Sequence, residues 1–110
     1  MKNDRLYLSN IKECIEQIDF YTVDGKDVFL QRRMIQDAVI RNFEIIGEAT
    51  KRLSVGLKTA HPEIQWQQIA GFRDVLIHDY LKINLHRVWG TIERDLPRLK
   101  QTVEEIMQEL

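Results

Sequence analysis

The stretch from about Asp27 to Leu53 constrains the fold most, because it carries helical periodicity with one glycine and no proline. One row of residues alternates spacings of four and three: Ile35, Val39, Asn42, Ile46, Ala49 and Leu53. A second, largely apolar row lies about 100° around the helix, so the apolar arc covers over half of the circumference. A surface helix needs a stripe of only about 100°. We therefore predict one long central helix over this range.

The wide apolar arc has two explanations. The helix is wrapped by its own neighbours, or part of the arc faces a second subunit. A chain of 110 residues offers few elements for the wrapping, which favours a homodimer. The opposite arc is charged and contains i,i+4 pairs, which indicates a solvated face; it consists of Arg33, Asp37, Arg41, Glu44, Glu48 and Arg52.

Three further stretches have helical periodicity. The first runs from about Asp4 to Asp19, and the third covers about Trp66 to Asp79. The fourth begins near Asn84, a good cap, and continues to the C-terminus with its register kept through Pro97, which predicts a kink there rather than a loop. The sequence thus predicts an all-α fold, a bundle of four to five helices.

The connections are short. Asp24 and Gly25 form a predicted turn, and we expect the second helix to end near residues 54–56, with Gly56 as its stop. Pro62 suits the first position of a helical turn.

Composition limits the function classes. The length predicts a single domain over residues 1–110, and the 16 basic against 17 acidic residues give no excess of charge typical of a nucleic-acid binder. Cys14 is the one cysteine, and no apolar run is long enough for a membrane span, so we expect a cytoplasmic protein without membrane contact.

Chemistry-bearing residues concentrate in the segment 71–80, which contains Arg73, Asp74, His78 and Tyr80. Arg73 and His78 are five residues apart, about 7.5 Å and 140° on a regular helix, so they converge only through a bend or across a two-fold axis. Asp74 lies four residues before His78 and could orient its imidazole. Tyr80 can join the same site only if the helix ends near Asp79. The three histidines lack the spacing of metal ligands, and we predict no metal site.

An arginine and a histidine without a nucleophile fit the cleavage of RNA, in which the attacking 2′-hydroxyl belongs to the substrate. From these residues alone, roles in capping, salt bridges or packing are favoured instead. For Tyr80 that alternative is packing of its ring against Trp89 or Leu81.

The pattern Arg73-x4-His78-x-Tyr80 resembles the RX4HXY motif of HepT-like toxins in the HEPN superfamily. The segments 42–49, 62–66, 88–89 and 95–97 are similar to the family as well. The resemblance implies a single HEPN domain that forms a homodimeric, metal-independent endoribonuclease and needs no cofactor of its own. Arg73 and His78 of both subunits would be catalytic, in a cleft at the dimer interface.

The resemblance also implies partners. The RNA substrate would be tRNA at the family level, and the antitoxin would be an MntA-type nucleotidyltransferase that transfers AMP from ATP to Tyr80. ATP and magnesium would then belong to the antitoxin. Two alternatives stay open: a non-catalytic HEPN module that docks the nucleotidyltransferase, and a purely structural four-helix dimer.

Overall fold

The computed structural model describes residues 3–78 and 80–110, with the backbone alone for Tyr80. The described residues contain helices and no strand, which confirms the all-α prediction. The helices are α1 (Asp4–Tyr21), α2 (Lys26–Gln31), α3 (Arg33–Arg52), α4 (Val55–Ala60), α5 (Trp66–His78), α6 (Leu85–Gly90) and α7 (Leu96–Glu109). A 3₁₀ turn (Tyr80–Lys82) and a π-helical turn (Thr91–Asp95) complete the order. No helix in this part of the chain combines the length and apolar character needed to cross a membrane.

Helix α3 is central, because it packs against α1 on one side and α5 on another, while α7 covers α1. Most of its apolar arc is therefore buried by the chain's own helices, including Val39, Phe43 and Ile46. The arc is not fully covered: Met34 is 84% exposed. Wrapping by neighbours accounts for most of the arc, and the remainder is free for another surface.

The prediction of one helix from Asp27 to Leu53 is wrong at Arg32, where the backbone is extended (φ −111°, ψ 102°) and separates α2 from α3. The side-chain amide of Gln36 donates to the carbonyls of Phe29 (2.9 Å) and Leu30 (3.1 Å). These two hydrogen bonds satisfy carbonyls that the break leaves without helical partners. The apolar pattern does not reveal that a side-chain amide replaces the backbone amides as the donor to these carbonyls.

The predicted end of the helix near Leu53 and Ser54 is confirmed, since α3 ends at Arg52, but Gly56 is not its stop, because Gly56 lies inside α4. Ser54 causes the change, because its hydroxyl accepts a hydrogen bond from the Leu57 amide (3.2 Å) and caps α4. Asp4 fixes this junction: its carboxylate accepts from the Ser54 amide (2.9 Å) and hydroxyl (2.6 Å).

Pro62 begins no helix. It lies in a turn closed by a hydrogen bond from the Ile64 amide to the His61 carbonyl (3.3 Å). The indole of Trp66 donates to the same carbonyl (2.9 Å), so the turn is held against the start of α5.

The C-terminal helix continues from Leu85 to Glu109 as predicted, and the side chain of Asn84 caps it by accepting from the Arg87 amide (3.2 Å). The distortion expected at Pro97 takes the form of the π-helical turn just before it, in which the Leu96 amide donates to the Thr91 carbonyl. Pro97 lies in the first turn of α7, where the lack of a backbone amide costs little stability.

Candidate active site

Helix α5 carries the predicted site residues and ends at His78, followed by the 3₁₀ turn that starts at Tyr80. The prediction that the helix ends near Asp79 is confirmed by these bounds. Asp79 itself and the side chain of Tyr80 lie outside the described residues, so the predicted packing of Tyr80 stays a prediction.

Gly47 lets α5 approach α3 closely at Arg73. A Cβ atom at Gly47 would lie 2.4 Å from the Cβ of Arg73 and 3.2 Å from its Cγ. Only a residue without a side chain allows this approach. Contact with the backbone of α3 thereby fixes the position of the Cβ and Cγ atoms of Arg73.

Arg73 is held by two carboxylates. Its Nε lies 3.3 Å from an Oε of Glu48 on α3, and its Nη1 lies 3.2 Å from an Oδ of Asp74. The side chain is 28% exposed, so the guanidinium is fixed at the surface but reachable from solvent. The sequence showed Glu48 only as one member of an i,i+4 pair with Arg52, and its contact with Arg73 was not predicted.

Asp74 contacts cations rather than His78. Among the described residues, the partners of its carboxylate are the Lys51 ammonium (2.9 Å) and Arg73 (3.2 Å). The hydrogen bond from Lys51, with a smaller contribution from Arg73, holds the pKa of the Asp74 carboxyl below its ordinary value. The predicted role of Asp74 in orienting His78 is therefore not what the structure shows, because the shared helix face is outweighed by two nearby cations.

A surface cavity of about 260 Å³ adjoins Arg73. Its lining includes apolar residues from two helices, Ile45 and Ile77, and the charged residues Arg41, Glu44, Glu48 and Arg52. The charged arc of α3 is therefore more than the solvated face predicted from its pairs, since it forms one wall of a cavity next to the motif. His78 follows Ile77 directly and is exposed.

Arg73 and His78 stay on different faces within one chain, because α5 is α-helical through both residues. Of the two ways in which they could converge, the bend is thus absent and the two-fold axis remains. Among the described residues, no group of three histidine, cysteine or acidic side chains is placed to hold a metal ion. Independence from metal stays a prediction.

An all-α bundle with an arginine and a histidine near the end of one helix is the arrangement expected for an RNA-cleaving nuclease of the predicted class. Residues 11–106 match the model of the family described as "Ribonuclease HepT-like". The chain belongs to this family, which confirms the resemblance drawn from its motif and, at the level of the family, the class of enzyme.

Relatives that are named as ribonucleases align with nearly the whole chain. A protein of Thermococcus cleftensis named as a probable ribonuclease HepT is 42% identical over 91% of this chain and 92% of its own length. A putative RNase of Caldanaerobacter subterraneus subsp. tengcongensis is 38% identical over 98% and 97% of the two chains. A protein of Methanocaldococcus jannaschii, named as a gamma-glutamylcyclotransferase and putative RNase, is 41% identical over 99% of this chain, which spans 50% of that relative's length. No solved structure gives a significant match.

Proposed function

We propose that this chain is a metal-independent endoribonuclease toxin of a HEPN and nucleotidyltransferase toxin–antitoxin pair. In this proposal a homodimer cleaves RNA, with tRNA as the substrate expected of the family, and transfer of AMP to Tyr80 by the antitoxin neutralises it. The placement of Arg73 carries the proposal: it is a fixed and accessible guanidinium beside a surface cavity, on the helix that ends at His78.

The chemistry needs a base, an acid and a cation. His78 of one subunit takes the proton of the RNA 2′-hydroxyl, and the resulting oxygen attacks the adjacent phosphorus. The bond from phosphorus to the 5′-oxygen breaks, and His78 of the second subunit supplies the proton to that leaving oxygen. Arg73 stabilises the negative charge that builds on the phosphate oxygens.

The regular geometry of α5 supports a dimer, since Arg73 and His78 can then converge only across two subunits. Exposed apolar side chains around the motif support it as well: Val75 and Ile77 are partly exposed, and Leu81 is 93% exposed. Burial of such residues against a second copy is favourable. Light scattering at micromolar concentration should give about twice 13.1 kDa, and a monomer under these conditions would contradict both the interface and the shared site.

Two variants test catalysis. His78→Ala and Arg73→Ala should abolish RNA cleavage and growth arrest while preserving the fold, because loss of a general acid or base costs about 100- to 10,000-fold in rate. His86→Ala is the matched control, since His86 is exposed and lies on α6 outside this site. Asp74→Asn should have a smaller effect. Cleavage should continue in EDTA, and its loss there would contradict the proposed mechanism.

Tyr80→Phe tests the modification, because it removes only the hydroxyl that would accept AMP. The phosphate added to Tyr80 would compete with RNA for the cations of the site. Intact-mass measurement after incubation with antitoxin and ATP should show additions of AMP mass on the wild type and none on Tyr80→Phe. Additions that persist on the variant would place the modification elsewhere.

A second function, a non-catalytic module that docks a nucleotidyltransferase, is favoured by one observation. Arg73 is already paired with Glu48 and Asp74, so its charge is largely neutralised in the free chain. Induced expression of the chain alone separates the two functions. A toxin arrests growth unless His78 is replaced, whereas a docking module leaves growth unchanged.

A further inference from the structure

A second cavity lies on the side of α5 that carries Phe72, between this helix and the segment from α6 to α7. Its volume is about 330 Å³, larger than that of the cavity beside Arg73. Apolar residues from three helices line it, among them Phe43, Phe72 and Leu99, and three arginines border it: Arg87, Arg94 and Arg98. We call this cavity with its three arginines the arginine groove.

The arginines of this groove are not neutralised as Arg73 is. Among the described residues, none of the three has a carboxylate within ion-pair distance. The groove also includes Glu63 and Asp95, but Glu63 already lies 3.4 Å from Nδ1 of His61. A concave surface with more cations than anions attracts a phosphate-bearing ligand.

Two of the arginines are held in place by the structure. The guanidinium of Arg94 lies over Gly90, where an added Cβ atom would be 2.7 Å from its Nη2, and its Nε donates to the Gly90 carbonyl at 3.4 Å. The π-helical turn contains Arg94, and such turns are frequent at functional sites. Arg87 lies 5.7 Å from the centre of the Phe72 ring, which makes a cation–π contact.

An aromatic ring paired with a guanidinium is a surface on which nucleic-acid bases stack. Phe72 is supported from behind by Phe43, with ring centres 5.3 Å apart in an edge-to-face contact. An acidic peptide would use the cations, but it has no nucleobase to stack on this platform. A flexible single strand supplies both a phosphate and an unpaired base.

We infer that the arginine groove binds a nucleotide of single-stranded RNA, with its phosphate at Arg94 and Arg98 and its base against Phe72 and Arg87. The inference rests on the proposed function, since the strand it holds would be the substrate. Phe72 and Arg73 are neighbours on α5, so a strand that crosses this helix passes from the groove to the catalytic arginine. The groove is thus a substrate-binding site separate from the residues that cleave.

The test measures binding of RNA that is not cleaved. All variants are made in the His78→Ala protein, so that the RNA is not cleaved. Fluorescence anisotropy measures the binding of a labelled single-stranded oligoribonucleotide of about 12 nucleotides. Arg94→Gln with Arg98→Gln should weaken binding at least several-fold and should reduce the slope of log K against log salt by about 0.7, because the two arginines hold one phosphate. The matched control is Lys26→Gln with Arg32→Gln, which removes the same charge from exposed positions at the two ends of α2 and should leave the slope unchanged.

Two single variants give opposite predictions. Asp95→Asn should strengthen binding, because it removes an exposed anion from the groove, and the Asp95 side chain makes no capping hydrogen bond that would be lost. Gly90→Ala should weaken binding while the protein folds, because the added methyl group displaces only the guanidinium end of Arg94 from its place over Gly90 and meets no backbone atom. Equal affinity in all of these variants would overturn the inference.

Cleavage by the enzyme with His78 intact separates this inference from the proposed function. In the double arginine variant KM should rise while kcat stays unchanged, and a fall in kcat with KM unchanged would contradict a binding role. If the chain binds RNA through the groove but cleaves none, the proposed function fails and the groove stands. If the chain cleaves RNA but the double variant and its control bind alike, the groove fails and the proposed function stands.

Discussion

Replacement of Gly47 by alanine tests whether the close approach of α3 and α5 positions Arg73. The new Cβ atom would lie 2.4 Å from the Cβ of Arg73, an atom that cannot move without its helix. Carbon atoms pack at about 3.5–4.0 Å, so α5 must shift by roughly 1 Å or more. Overpacking of this kind costs about 1–3 kcal/mol, and the better helix propensity of alanine returns about 1 kcal/mol.

We therefore expect Gly47→Ala to lower the free energy of unfolding by up to about 2 kcal/mol. A shift of about 1 Å in a catalytic group can cost about 100-fold in rate, so cleavage should fall far more than stability does. Urea denaturation measures the first effect, and initial rates of RNA cleavage at a temperature where the variant is folded measure the second.

Gly71→Ala is the control on α5 itself, because an added Cβ there meets no atom within 4 Å. That variant should be as stable as the wild type or more stable, by up to about 1 kcal/mol, and should cleave normally. If Gly47→Ala behaves like Gly71→Ala in both assays, the close approach does not position Arg73 and the reasoning is wrong.

Three further predictions concern stability and reactivity. Burial raises the pKa of the Asp4 carboxyl, but the hydrogen bonds from Ser54 outweigh it, so the pKa is lowered overall. The stabilisation by ionised Asp4 is therefore fully present above the pKa of the carboxyl in the unfolded chain, near 3.9, and is lost as the pH falls below that value. Asp4→Asn should lower the melting temperature at pH 7, and the difference in melting temperature from the wild type should be smaller near pH 3. Burial, with a smaller contribution from Glu13, raises the pKa of the Cys14 thiol to about 11, so a thiol reagent at pH 8 should react only after denaturant is added. Gln36→Leu leaves two carbonyls at the α2–α3 break without their donor and should cost about 1–3 kcal/mol in urea denaturation.

Much of the fold was predictable, because it depends on periodicity. The bounds of α1 and α5 were predicted to within a few residues, and Asn84 was identified as a cap from its residue type. The break at Arg32 was not predictable from the pattern, since it is stabilised by a buried glutamine that periodicity treats as a helical residue. The apolar pattern thus predicts where helices lie, whereas side-chain hydrogen bonds determine where they break.

The site was only partly predictable. Arg73 and His78 were identified by their spacing, and α5 presents them as a regular helix must. Apart from their contact with each other, Arg73 and Asp74 have partners on α3, more than 20 residues away in sequence, and no local pattern indicates such contacts. The arginine groove was missed for the same reason, although Gly90, which lies inside the helix that Asn84 caps, marks a position where another group can approach the backbone closely, here the side chain of Arg94.

The π-helical turn between α6 and α7 has a consequence for the phase of the helix. Val88, Ile92 and Leu96 are all buried at successive spacings of four, although each such step would rotate a side chain by about 40° on an α-helix. A π turn takes more residues per revolution and so reverses part of that drift. A π turn holds about one residue more than an α-helical turn over the same arc, so deletion of one residue within it, with return to ordinary α-helix, would leave α7 in nearly the same phase relative to α6 and its apolar row in the core. The turn thus accommodates one extra residue in the chain without rotating the apolar row of α7 out of the core.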